Sequence, residues 1–178
     1  MKLLIGVLLA VTLISSCNKD DEETATSNYL KIADAEYDLS AGLLENFGTD
    51  NWYYGYLGKL ILYSKGLSLQ IDEENHYEFI GKGDAIYFVL FSSSEDVLDN
   101  ANYVFTSTEP YSIGTFYEAG YTINFDTEDW DADESDDIVS GTVSISKSGN
   151  VYSISINCTG ENSEKITGFY EGTLRYFN

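Results

Sequence analysis

Basic residues are scarce in this chain of 178 residues. Lys and Arg number 9 against 30 Asp and Glu, for a formal net charge of −21. A chain of that sign repels phosphate backbones, which argues against a nucleic-acid partner. It also cannot lie on an anionic membrane through its own side chains. Histidine occurs once, as His76, so a His-based triad would rest on one residue in a polar stretch beside Glu74. Gly-x-Ser-x-Gly, His-Glu-x-x-His and the Walker glycine loop are all missing. No catalytic residues are therefore expected, and no enzyme. Paired carboxylates could in principle cleave glycosides, but 30 acidic residues make some pairs inevitable. There is one proline and there are two cysteines, Cys17 and Cys158, so neither a proline-rich linker nor a disulfide scaffold is expected.

What the chain does have begins at its first residue. Lys2 is followed by an apolar run from Leu3 to Ile14, then Ser15, Ser16 and Cys17. A charged start, a short apolar middle and small residues ahead of a cut site make a secretory signal. Twelve apolar residues fall well short of the ~20 that span a bilayer as a helix. The Leu-Ile-Ser-Ser-Cys ending resembles the lipobox of bacterial lipoproteins. That resemblance implies removal of residues 1–16, acylation of Cys17 with palmitate-like chains, and a membrane partner reached through the anchor. Two or three acyl chains anchor stably where one is marginal, at about 0.8 kcal/mol per buried methylene. Asn18 to Asn28 has no aliphatic residue larger than Ala25 and is rich in charge, so residues 17–28 read as a lipidated flexible tether. Asn18-Lys19-Asp20-Asp21-Glu22-Glu23 resembles the acidic export patch of surface lipoproteins of the Bacteroidota. By that resemblance the address is the bacterial outer membrane, facing outward.

Residues 29–178 form one domain, long enough for a proper core, and hydrophobic residues at 43 % of the chain argue against global disorder. Tyr29–Ile32 and Glu36–Leu39 alternate around Ala33-Asp34-Ala35 as a first hairpin. Ser40 to Gly58 reads as irregular. Leu60–Tyr63 is a strand, Ser64-Lys65-Gly66 a turn, and Leu67–Ile71 its partner. Ala85–Phe91 is continuously apolar, as in a strand buried on both faces. A helical turn is placed at Ser94–Leu98, with strands at Tyr103–Phe105, around Ile113–Tyr117 and at Tyr121–Phe125.

The last forty residues have the clearest alternation. Val139, Gly141, Val143 and Ile145 share one face; so do Tyr152, Ile154, Ile156 and Cys158, then Ile166, Gly168, Tyr170, Gly172, Leu174 and Tyr176. This is a three-strand antiparallel meander, and it places Cys158 in the core as an inert thiol. Together the segments predict an all-β domain, an antiparallel β-sandwich or flattened β-barrel of about ten to twelve short strands. The closing pattern, with Ile138–Val143, Gly149–Tyr152 and Ile166–Leu174, resembles the end of many small Bacteroidota surface lipoproteins. Some of those are likened to lipocalins or calycins, which carry small apolar ligands. The resemblance brings no catalytic residues with it.

Two stretches are candidate sites. Trp52, Tyr53, Tyr54 and Tyr56, preceded by Asp50 and Asn51, combine flat rings on which sugar C–H faces stack with polar groups that collect hydroxyls. An extracellular glycan is the ligand those residue types suit. The acidic stretch Asp126–Asp137 holds Asp129, Asp131 and Asp133 at the spacing of the first three ligands of a calcium loop. Glu134 stands where that loop needs glycine and Ser140 where it needs glutamate, so this is not an EF-hand. Calcium in a looser site is the one cofactor the sequence suggests, and a solvated hairpin loop is the plainer expectation. The expected molecule is a monomeric, outer-membrane-anchored, non-enzymatic binding or scaffolding module. Its rival is a lipocalin-like carrier with aromatic side chains such as Tyr87 lining the interior.

Overall fold

The computed structural model describes residues 27–49, 54–73, 76–95 and 97–178. The signal segment 1–16, Cys17 and most of the tether lie outside these residues. Among the described residues there are twelve strands and no helix. In chain order the strands are β1 (Tyr29–Ile32), β2 (Ala35–Asp38), β3 (Ala41–Gly48), β4 (Tyr56–Tyr63), β5 (Leu67–Ile71) and β6 (Tyr77–Ser92). They continue with β7 (Ala101–Phe105), β8 (Thr115–Asp126), β9 (Glu134–Ser148), β10 (Val151–Gly160), β11 (Lys165–Gly172) and β12 (Leu174–Phe177).

Eleven strands form one path, β12-β3-β4-β6-β8-β7-β9-β10-β11-β1-β2, with β5 attached to β6. The sheet curls into a half-barrel. Most pairings are antiparallel, but β12 runs parallel to β3 and β7 parallel to β8, so the sheet is mixed. Its two ends are joined by the chain itself. Leu39 and Ser40 carry β2 into β3, and Thr173 carries β11 into β12, so the chain twice steps from one end of the path to the other. Backbone hydrogen bonds hold the first step, from Ser40 N–H to Tyr63 O at 2.8 Å and from Leu39 N–H to Asn28 O at 3.3 Å.

Alternation fixes which side chains fill the curl. Leu60 and Leu62, Ile86, Phe88 and Leu90, Val143 and Ile145, Ile154, Ile156 and Cys158, and Ile166 and Tyr170 form one contiguous buried cluster. Burying a large aliphatic or aromatic side chain contributes about 1.5–3 kcal/mol, so this interior carries most of the stability. Cys158 is buried and unpaired, and burial pushes its thiol up to about 11.

A second, smaller cluster lies on the outer face: Leu43, Ile61, Tyr63, Leu67 and Phe177, with Tyr77, Phe79 and Tyr87 packed against it. Middle strands β4 and β6 are thus covered on both sides, as the apolar run Ala85–Phe91 predicts.

Several local expectations differ from the structure. Leu67–Ile71 pairs with β6 and not with β4. A Cβ on Gly66 would lie 2.0 Å from Lys82 O and one on Gly81 2.4 Å from Gly66 O, so two glycines let the backbones meet there. The stretch after Ser40 is ordered as β3, hidden in sequence by its polar Glu45 and Asn46. Asn46 is buried because its amide donates to Asn178 Oδ1 at 3.0 Å. Within Ser94–Leu98, Ser94, Glu95 and Val97 lie in bends, and none of the described residues is helical.

In β9 the register skips a residue opposite Thr159 and Gly160, a β-bulge that buries Ile138 and turns Val139 out to 42 % exposure. Past Thr173 the alternation continues: Leu174 packs on the interior, Tyr176 pairs with interior Leu44 at the rim, 36 % exposed, and Phe177 is buried in the outer cluster. Tyr87 alternates with the inward Ile86 and Phe88, lies in the outer cluster, and carries Lys59 Nζ 4.7 Å above its ring centroid. It does not line the interior.

Candidate functional site

A fork in the sheet creates the most distinctive surface feature. From Lys82 to Phe91, β6 pairs with β8, Lys82 standing opposite Asp126. Before that point β6 leaves β8 and its residues Tyr77–Gly81 pair with β5 instead. The change of partner falls at Gly81, whose φ of +110 favours glycine. The wedge between the two branches is a cleft of about 510 Å³, walled by Tyr77–Ile80 on one side and by Phe125, Thr127, Glu128 and Trp130 on the other. That volume lies within the usual 300–1,000 Å³ of ligand sites.

The walls are held in place. Thr127 N–H donates to Gly81 O at 3.1 Å, and Gly81 N–H donates back to Thr127 Oγ1 at 2.9 Å. Asp126 N–H closes the loop onto Asp131 O at 2.7 Å. Opposite, the Phe79 ring packs edge-on against Tyr63 at 4.9 Å and Tyr77 against Phe177 at 5.1 Å. The Tyr77 hydroxyl donates to Glu45 Oε2, and burial together with that carboxylate pushes its pKa above the usual tyrosine range.

On this fixed frame sits Trp130, 82 % exposed, with φ +54 and its ring edge-on to Phe125 at 6.0 Å. A left-handed φ is costly for a bulky residue, and an indole left in water gains nothing from burial. The fold offers no packing reason for the residue at this position.

The glycan platform expected around Trp52 is only partly visible. Asp50, Asn51, Trp52 and Tyr53 lie outside the described residues. Tyr54 is 69 % exposed, with its N–H donating to Tyr111 O at 3.3 Å, and Tyr56 opens β4 opposite Ser92. Beside them Phe91, Tyr111 and Tyr117 form a ring stack, with centroids 5.5 Å apart for the first pair and 4.5 Å for the second. Tyr56 and the cleft belong to opposite ends of β6. The ten residue steps from Lys82 to Ser92 separate them by about 33 Å along the strand at the usual rise.

Asp129, Asp131 and Asp133 are all exposed. Asp131 Oδ1 accepts the Ala132 N–H at 3.0 Å and Asp133 Oδ2 the Asn124 amide at 2.8 Å. Among the described residues no group of three or more His, Cys, Asp or Glu side chains is arranged to hold a metal ion. Strand β9 already begins at Glu134, so only the first part of the acidic stretch is a loop. His76 Nδ1 lies 3.1 Å from Asp72 Oδ2 on the exposed connection between β5 and β6.

Sequence reasoning passed over the cleft because its walls, Tyr77–Ile80 and Phe125–Trp130, are 45 residues or more apart. One signal was there to find: a lone tryptophan inside a run of carboxylates, where no apolar neighbour could bury it. Fold and site together define an all-β protein with a curled mixed sheet and an aromatic cleft at a strand fork. No family model, curated protein or solved structure matches this chain.

Proposed function

We propose that this chain is a lipid-anchored protein of the bacterial outer membrane, a non-enzymatic binding or scaffolding module whose aromatic cleft docks a glycan. The anchor rests on the signal, the lipobox and Cys17, and the placement among Bacteroidota surface lipoproteins on the acidic patch and the closing strand pattern. The binding reading rests on one observation above all, the 82 % exposure of Trp130 on a hydrogen-bonded loop beside Phe125. An exposed ring beside a second ring, on a loop whose backbone is hydrogen-bonded, offers the flat face that stacking on a sugar requires.

A glycan array probed with the purified protein tests this reading. Binding to saccharides that Trp130→Ala removes supports it, and an array without signal sinks it. For the anchor, Cys17→Ala is expected to move the protein from the membrane pellet to the soluble fraction, and a mutant that stays in the pellet contradicts it. The carrier reading draws on a cavity of about 320 Å³ bounded by Leu44, Tyr152 and Leu174, where interior side chains reach the surface. Uptake of a fluorescent fatty acid, indifferent to Trp130→Ala, would favour the carrier.

A further inference from the structure

The cleft has a charge character as well as a shape. Two acidic side chains, Glu78 and Glu128, stand on its opposite walls, and among the described residues no Lys or Arg lines it. Asp126, Asp129 and Asp131 belong to the same loop as Trp130, while Lys82 stands opposite Asp126 in the strand register and outside the lining. An anion brought there would meet like charge on both walls. An ammonium group would meet a carboxylate on each side and the electron-rich face of an indole. Resting on the glycan reading, we propose that the cleft selects saccharides bearing free amino groups, the amine lying between Glu78 and Glu128 with the sugar ring against Trp130.

Three tetrasaccharides of matched length separate the possibilities: the β-linked glucosamine tetramer, its fully N-acetylated twin, and a tetragalacturonate. Each is titrated into the purified full chain at pH 5.5, where the amines are charged, while tryptophan fluorescence is followed. The amine form is expected to bind about tenfold more tightly than the acetylated twin, the sum of modest carboxylate pairs and a cation–π contact. The advantage should shrink at 0.5 M salt, and the uronate should not bind. Glu78→Gln combined with Glu128→Gln should lower the affinity for the amine form toward that of its twin; both carboxylates are exposed, so the variant is expected to fold.

Equal affinity for the amine and acetylated forms, or binding of the uronate, overturns the charge selection and leaves the glycan reading standing. Binding of oligolysine with none of the three sugars overturns both and makes the cleft a site for basic peptides. No binding by any probe overturns the charge selection, and the glycan array then decides the glycan reading.

Discussion

The inside of the curl and the cleft at its fork are built by opposite means. Inside, side chains as far apart in sequence as Leu30 and Tyr170 converge because each strand alternates, and the result is a contiguous apolar cluster. At the fork, two glycines let backbones touch, one strand changes partner, and an indole is held out into water. Regular pattern yields stability there, and departure from pattern yields a surface that can bind. The two regions should therefore answer mutation in opposite ways.

Largest should be the effect in the interior. Phe88 is fully buried and edge-on to Phe116 at 5.5 Å, so Phe88→Ala should cost about 3–5 kcal/mol in a urea unfolding series. Trp130→Ala should shift the same curve by about 0.5 kcal/mol or less. A Trp130 variant as unstable as the Phe88 variant would mean that the indole is structural, and the contrast would collapse.

Alkaline pH sharpens the contrast next. Burial, aided by nearby carboxylates, raises Tyr121 above the usual tyrosine value of 10.0, and burial raises Tyr103. The Tyr121 hydroxyl lies 3.0 Å from Glu134 Oε1 and 3.2 Å from Glu164 Oε1, while Tyr103 accepts the Asp99 N–H at 2.8 Å. The fold favours the neutral phenol, so this stability is whole below pH 10 and declines above it as unfolded tyrosines ionise. Each of the two should withdraw at most about 1.4 kcal/mol per pH unit. Cys158, moved from 9.0 to about 11, adds a loss that starts near pH 9. Unfolding midpoints that stay level from pH 8 to pH 11 would contradict this account of the interior.

Smallest should be the response to divalent ions. A chain of net charge −21 gains from screening, and magnesium screens as well as calcium. Melting temperatures should rise by the same few degrees with either ion at matched ionic strength. A shift confined to calcium would instead point to an irregular many-oxygen site in the loop of Asp129, Asp131 and Asp133.

These differences also explain what the sequence could disclose. Period-two alternation announced the β9–β10–β11 meander, the inward Cys158 and the doubly covered β6, because each depends on local pattern plus one buried face. The β9 bulge and the step of β5 onto β6 were hidden. They depend on how distant backbones meet: Gly141, with φ +126, would place a Cβ 2.4 Å from Cys158 Cα, and Gly66 meets Lys82. Strand β3 stayed hidden because Asn46 is paid for by partners as remote as Asn178. For the site, the aromatic types were legible and their grouping was not: Tyr77, Phe79, Phe125 and Trp130 become neighbours only once β6 forks.

The most direct test uses the fact that the chain has two tryptophans, Trp52 and Trp130. In an NMR titration with the glucosamine tetramer, two indole N–H signals report on the two candidate platforms separately, once Trp130→Phe has assigned them. The Trp130 signal should move in proportion to occupancy while the Trp52 signal stays in place. Movement of the Trp52 signal with Trp130 still would contradict the account and return the site to the residues around Tyr54 and Tyr56.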